Sequence, residues 1–218
     1  MDGLSFVQQL DAELQHALAP LATSPIAPAG EKQKAIIELL KMGLKSEIEA
    51  SEIAASWMLT TPEMEIKLGL ARQCGDEAKH FALMQKRLLE LGVDARQLNP
   101  VAHGYSPLFH YLRTLHPLVE RLAAAQYARE GIAKLVNAKF IEFVEEAKDT
   151  RTAALFRETV QPEEAAHHEF ARQMLAKYAN TPELQDKARA AMRKTLELAD
   201  ELRELASHRL GTAAIPGS

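Results

Sequence analysis

The chain has 218 residues, with 26 Lys and Arg against 30 Asp and Glu and a net charge of −4; this balance excludes nucleic-acid binding driven by bulk positive charge. The length suffices for a sizeable core, as one large domain or two small ones. The single Cys74 excludes an internal disulfide and fits a reducing compartment. Charges interrupt every apolar run below membrane-spanning length, and the start of the chain lacks the basic region of a signal peptide, so a soluble cytoplasmic protein is expected.

No stretch alternates with a period of two, and Gly and Pro fall mostly between long segments of helical periodicity, so the expected class is all-α. An amphipathic helix over about residues 3–18 precedes a proline-rich connector, "PLATSPIAPAG". A first long helix runs over about 31–59. Thr60 and Thr61 then turn the chain into a second, which starts at Pro62 and ends near Gly92. After the loop "LNPVAHGYSP", a third begins at Pro107, is kinked or broken at Pro117, and continues to about 148. A turn at Asp149 and Thr150 leads to a fourth, ending near 179; "NTPEL" caps a fifth to about 210, and 211–218 reads as a loose tail. Three units are expected: 1–30 as N-terminal helix and connector, 31–179 as a four-helix bundle, and 180–218 as a C-terminal helix and tail packed on the same domain.

Two short stretches place ionisable groups where a core should be. "GDEAKHF" sets Glu77 three residues before His80, and "PEEAAHHEF" does the same with Glu164 and His167. At about 100° per residue, Glu77 falls in the centre of the stripe formed by Ile66, Leu70, Cys74, Phe81, Met84 and Leu88, with His80 on its flank. His167 is central on the stripe of Phe156, Val160, Ala171, Met174 and Tyr178, with Glu164 beside it. In the first long helix Glu47 shares a face with Ile36, Leu40, Ala54 and Met58, whereas Glu49 points the opposite way. In the third, Glu130 lies beside Val119, Ala123, Asn137 and Ile141, while Glu120 and Glu142 point outward. Depth agrees: Glu47 is 14 residues before Thr61 and Glu77 is 16 after it, a mismatch of about 3 Å, whereas Glu52 would be out by roughly 10 Å. Four carboxylates and two imidazoles are therefore expected at one level.

Glu-x-x-His alone is a weak signal, and the chain carries a control. Glu13 and His16 have the same spacing, but both fall opposite Val7, Leu10, Leu14 and Leu18, so a solvated face is expected there. Six ionisable groups in a core are costly unless compensated, and inward-facing Lys and Arg are too few to do it. Two cations in mixed oxygen and nitrogen ligation compensate them, and this donor set suits iron or manganese better than structural zinc.

One Glu from each of two helices plus Glu-x-x-His from each of the other two resembles the ferritin-like di-iron carboxylate superfamily, over about residues 31–179. The resemblance implies a ferritin-like antiparallel four-helix bundle and two iron ions, or a manganese–iron pair. Glu47, Glu77 and His80 would serve one ion and Glu130, Glu164 and His167 the other, with some glutamates bridging. Many oxygen-activating members carry Asp-Glu-x-x-His, whose Asp bonds the histidine ligand of the opposite helix. Asp76 holds that position here, and Glu163 replaces the second Asp. Tyr127, one turn from Glu130, is the candidate catalytic or redox residue, weighed against a plain core tyrosine. Cys74, one turn from Glu77, is a candidate neighbour of the ligands or an inert thiol. His168 faces about 90° from the stripe, and Pro162 should distort the turn before Glu164.

The resemblance implies an oxygen-activating oxidoreductase, of hydroxylase or monooxygenase type, acting on a small or medium organic substrate. Its partners would be O₂, that substrate and an electron donor, without a membrane; a homodimer is compatible. The 92–117 segment is loosely similar to the tRNA-hydroxylase branch, but the acidic balance does not favour tRNA. Ferritin-type iron storage and a non-enzymatic helical interaction protein are the alternatives; one cysteine cannot build the Cys-x-x-Cys module of a rubrerythrin. Crowding of four carboxylates further predicts that deleting Glu77 relieves the metal-free protein.

Overall fold

A computed structural model describes residues 1–27 and 30–210, the side chains of 205–210 excepted. The tail expected at 211–218 and part of the proline-rich connector lie outside the described residues. Those described are all-helical, with no strand among them. Helix α1 is Gly3–Thr23, α2 Lys32–Met58, α3 Met64–Glu90 and α4 Pro107–Thr114. Leu118–Arg121, Leu122–Arg129 and Glu130–Glu146 follow one another as one helix, α5. Thr150–Leu155, Phe156–Val160 and Gln161–Tyr178 do the same as α6, and α7 is Pro182–Leu210. No described helix is long and apolar enough to cross a membrane.

Contacts between side chains fix the helix directions. Glu47 meets His80 and Ser51 meets Cys74, so partner numbers fall along α3 as they rise along α2: the pair is antiparallel. The same inverse order joins α5 to α6, through Tyr127 with His168 and Lys134 with Gln161. It also joins α3 to α6, through Asp76 with His167 and His80 with Glu163. It follows that α3 and α5 run the same way, and the chain must travel back along the molecule between them. A 27-residue helix such as α3 is about 40 Å long. The return is made by residues 91–117, which carry a short 3₁₀ turn at Ala95–Gln97 and then α4.

Local chemistry sets the boundaries. Asp2 caps α1 on the Ser5 N–H, Ser106 caps α4 on Phe109, and Asp149 caps α6 on Thr152 while also accepting from Arg87. The turn after α3 needs a left-handed residue, and Gly92, at φ 86°, supplies it. Lys148, at φ 64°, fills the same position after α5 without that freedom. Helix α1 runs some five residues past its expected end, with Pro20 inside its last turn. At Pro117 the helix is broken, not kinked: α4 stops at Thr114, and buried Arg121 reaches back to the Leu115 carbonyl left at the break.

Two wide turns interrupt the helical register. In α6 the Gln161 N–H bonds to the Phe156 carbonyl five residues back, immediately before Pro162. Proline brings no N–H, and the widened π turn takes up the distortion expected before Glu164. The other spans Leu122–Arg129 in α5, where all eight side chains are buried and Glu130 N–H reaches Ala125. No proline marks it; a run of alanines lets α6 and α7 close on both sides.

The apolar residues form two clusters. One packs Phe6, Leu10, Trp57, Leu70, Leu122 and Met192 around the α2–α3 turn, α1 and α7. The other packs Leu40, Leu44, Met84, Leu88, Phe140 and Phe156 at the opposite end. Helix α1 lies directly on α6, because Gly3 has no Cβ to meet the Ala176 carbonyl, which would stand 1.8 Å away. Between the two apolar clusters, at mid-height, lie the ionisable groups.

Candidate metal centre

Glu47 comes from α2, Glu77 and His80 from α3, Glu130 from α5, and Glu164 and His167 from α6. All six are buried, five of them completely and His167 to 5 % exposure. Glu47, Glu77, His80 and Glu164 offer one ligand atom each within 4.8 Å of one another; so do Glu77, Glu130, Glu164 and His167. Glu77 and Glu164 belong to both groups. The arrangement is thus two adjacent three-carboxylate, one-imidazole sites sharing two carboxylates.

The imidazoles are oriented alike. His80 turns Nδ1 inward, 3.2 Å from Glu47, and places Nε2 2.8 Å from Glu163. His167 turns Nδ1 towards Glu77, at 3.5 Å, and Nε2 towards Asp76, at 3.1 Å. Each outer carboxylate can accept the Nε2 proton and leave an Nδ1 lone pair facing the centre, the tautomer a metal ligand needs. Asp76 therefore stands where the sequence reading sets it. Glu163 makes the equivalent contact to His80 from α6. Lys79 joins these two outer carboxylates, at 3.3 Å from Asp76 and 2.6 Å from Glu163.

Buried polar atoms normally find partners. Here Glu47 Oε1, both oxygens of Glu77, Glu130 Oε2, both oxygens of Glu164 and His167 Nδ1 find no hydrogen-bond partner among the described residues. Seven orphaned acceptor-capable atoms around one point fit a pair of cations, which would satisfy them together.

Several residues depart from expectation. Arg129 faces the centre, with Nη1 3.1 Å from Glu130 and Nη2 on the Ser46 carbonyl and hydroxyl, so one inward guanidinium exists after all. One cation against four carboxylates leaves the deficit in place. Gln73, also unforeseen, donates to Glu130 Oε1 at 2.6 Å and accepts from Gln126. Tyr127 is not directed at the cluster: its hydroxyl donates to Asp11 of α1 at 2.8 Å, and Asp11 is held by Arg172. Burial first and Asp11 second raise its pKa well above the ordinary tyrosine value, so it stays a phenol. Cys74 lies against Ser51 Oγ, at 3.5 Å, on the side of α2. His168 is buried, stacked on the Tyr127 ring at 4.8 Å. Glu49 is also buried, where it accepts from the Ser106 N–H and hydroxyl and anchors the start of α4. Glu13 reaches across to Arg189 and Arg193 while His16 is exposed, and neither joins the centre.

The charges are unequal. Burial, and then the neighbouring Glu77, raise Glu47 well above the carboxylate range; burial, Glu130 and Glu77 do the same to Glu164. Burial opposes the charge on Glu77 as well, but His80, Glu47 and Arg129 outweigh it and hold Glu77 at about 2. Burial would also discharge His80, yet Glu47 and Glu77 raise it to about 11. The metal-free centre accordingly carries protons on Glu47, Glu164 and His80. The sign of the pH dependence follows. These three groups bind protons in the folded state that the unfolded chain releases, so their contribution to stability falls as pH rises: above about 4.5 for Glu47 and Glu164, and from about 6.5 towards 11 for His80. Glu77 acts oppositely, but only below about 4.5, where its stabilisation is lost. In chelator the unfolding free energy should therefore decline between pH 6 and 9, by about 1.4 kcal/mol per pH unit for each proton so held, and the melting temperature should fall with it. A flat profile would mean that the centre holds no such protons.

No protein-family model, curated protein or solved structure matches this chain.

Proposed function

We propose that the protein is a ferritin-like di-metal carboxylate oxidoreductase, with a di-iron or manganese–iron centre, that activates O₂ for hydroxylation or mono-oxygenation of a small or medium organic substrate. The observation supporting this reading is that two four-ligand groups share Glu77 and Glu164, and that seven of their polar atoms find no hydrogen-bond partner among the described residues. Glu47 and His80 would hold one ion, Glu130 and His167 the other, and the shared pair would bridge. The donor set, carboxylate-rich with one nitrogen per site, favours iron or manganese over zinc. Two ferrous ions held side by side would supply electrons to O₂. Around them the chain's own residues have distinct tasks. Asp76 and Glu163 fix the imidazole tautomers, the apolar clusters above and below exclude water, and Arg129 supplies a fixed positive charge beside Glu130. The single return connection between α3 and α5 is also the topology of ferritin-like bundles.

Metal analysis of the purified protein tests the reading, with anomalous scattering at the iron and manganese edges. Two ions per chain are expected, and the anaerobically iron-loaded protein should develop near-ultraviolet ferric absorption on admission of O₂. A particle of cage size by light scattering would redirect the same centre to iron storage. Failure to take up either metal would leave a helical interaction protein.

A further inference from the structure

A second cavity lies against the centre. It is a partly open pocket between α1, α4, α5 and α7, has a volume of about 170 Å³, and is walled mainly by Leu18, Leu21, Leu108, Ile132, Val136 and Leu196. Cavities of about 150 Å³ with such linings stay dry and take up small apolar molecules such as benzene. Arg129 forms part of this wall, and the same side chain pairs with Glu130 at 3.1 Å. On its other side a smaller cavity, of about 20 Å³, is bounded by Arg129, Leu108, Glu49 and Gln73, and Gln73 donates to the same Glu130 oxygen. The two cavities thus adjoin the same two side chains, Arg129 and Leu108, next to a candidate ligand of the metals.

We propose that the larger cavity is the binding chamber for an uncharged, largely apolar substrate of roughly seven non-hydrogen atoms, and that Arg129 and Leu108 partition it from the metal pair. This rests on the di-metal reading of the centre. The class of ligand follows from the lining. Aliphatic walls offer a charged ligand nothing to replace its hydration. The charges at the mouth are mixed, with Arg203 paired to Asp200 at 2.7 Å and Glu197 nearby, so they select neither sign. Arg129 is a positioning residue: movement of its side chain would both open the partition and disturb Glu130.

The test uses the full chain loaded with Co(II), with toluene, hexanol, hexanoate and hexylamine as probes in calorimetric titration. Toluene and hexanol should bind at one site, and at least tenfold more weakly to Val136→Phe, which fills the chamber from α5. Ala199→Phe fills it from α7 and should act likewise should the first variant misfold by circular dichroism. Cobalt content should be unchanged in both. Hexanol should shift the visible cobalt bands, because a ligand that displaces Arg129 alters Glu130. Absence of toluene binding to the wild type, or equal binding to both filled variants, would overturn the chamber while leaving the metal reading intact. Hexanoate or hexylamine binding as tightly as hexanol would overturn the assignment to an uncharged ligand. Unshifted cobalt bands would break the link to the centre. Toluene bound to a protein that takes up no metal would instead remove the di-metal reading and the substrate role with it.

Discussion

Replacing Glu164 with glutamine is expected to leave the metal-free fold almost untouched and to lower metal affinity by more than about 100-fold. Both halves follow from its setting. Glu164 is completely buried, and burial together with Glu130 and Glu77 keeps it protonated in the absence of metal. A protonated carboxyl and a carboxamide have nearly the same size and no charge, so the metal-free protein should lose no more than about 1 kcal/mol. Metal binding requires the carboxylate, and Glu164 contributes to both four-ligand groups. Loss of a group that merely orients a ligand already costs about 10- to 100-fold in affinity, and a shared ligand should exceed that. Metal titration followed by calorimetry, beside thermal melts in chelator, measures the two quantities separately. Unaltered metal affinity in this variant would remove Glu164 from the centre.

Glu77→Gln should behave in the opposite way when metal is absent. Glu77 is the carboxylate that stays ionised, held at about 2 by His80, Glu47 and Arg129 against its own burial. Removing it takes the ionised carboxylate from beside completely buried His80, which keeps only Glu163 on its outer nitrogen, and leaves buried Arg129 with Glu130 alone of its two neighbouring charges. Breaking a buried pair by deleting one partner costs about 3–5 kcal/mol, which for a chain of this length lowers the melting temperature by roughly 10 °C. The simple expectation that any one of four crowded carboxylates can be deleted with relief therefore fails at Glu77, while at Glu47 and Glu164 the glutamine is expected to be close to neutral. The check is the melting temperature of the metal-free protein for the three single glutamine variants. A cost shared equally among them would contradict the unequal division of charge.

Much of this architecture is set locally and is therefore readable along the chain. Helical periodicity, the turn at Asp149 and Thr150, the helix end near Gly92, the helix start at Pro107 and the interruption at Pro117 act over a few residues, and the structure places each where the sequence does. The convergence of Glu47, Glu77, His80, Glu130, Glu164 and His167 was legible for the same reason. Each is fixed by its own helix face and by its distance from a short turn.

Other features depend on packing between distant segments. Arg129 pairs with Glu130 at the centre, and Tyr127 is committed to Asp11, 116 residues away. Glu49 is buried only because Ser106 arrives above it with two donors. The chamber beside Arg129 exists only where α1, α4, α5 and α7 meet. Which carboxylate keeps its charge is likewise a tertiary property. The sequence makes Glu47, Glu77 and Glu164 chemically alike, and only their positions relative to His80 and Arg129 separate them, because electrostatic energy depends on distance through space and not on position along the chain.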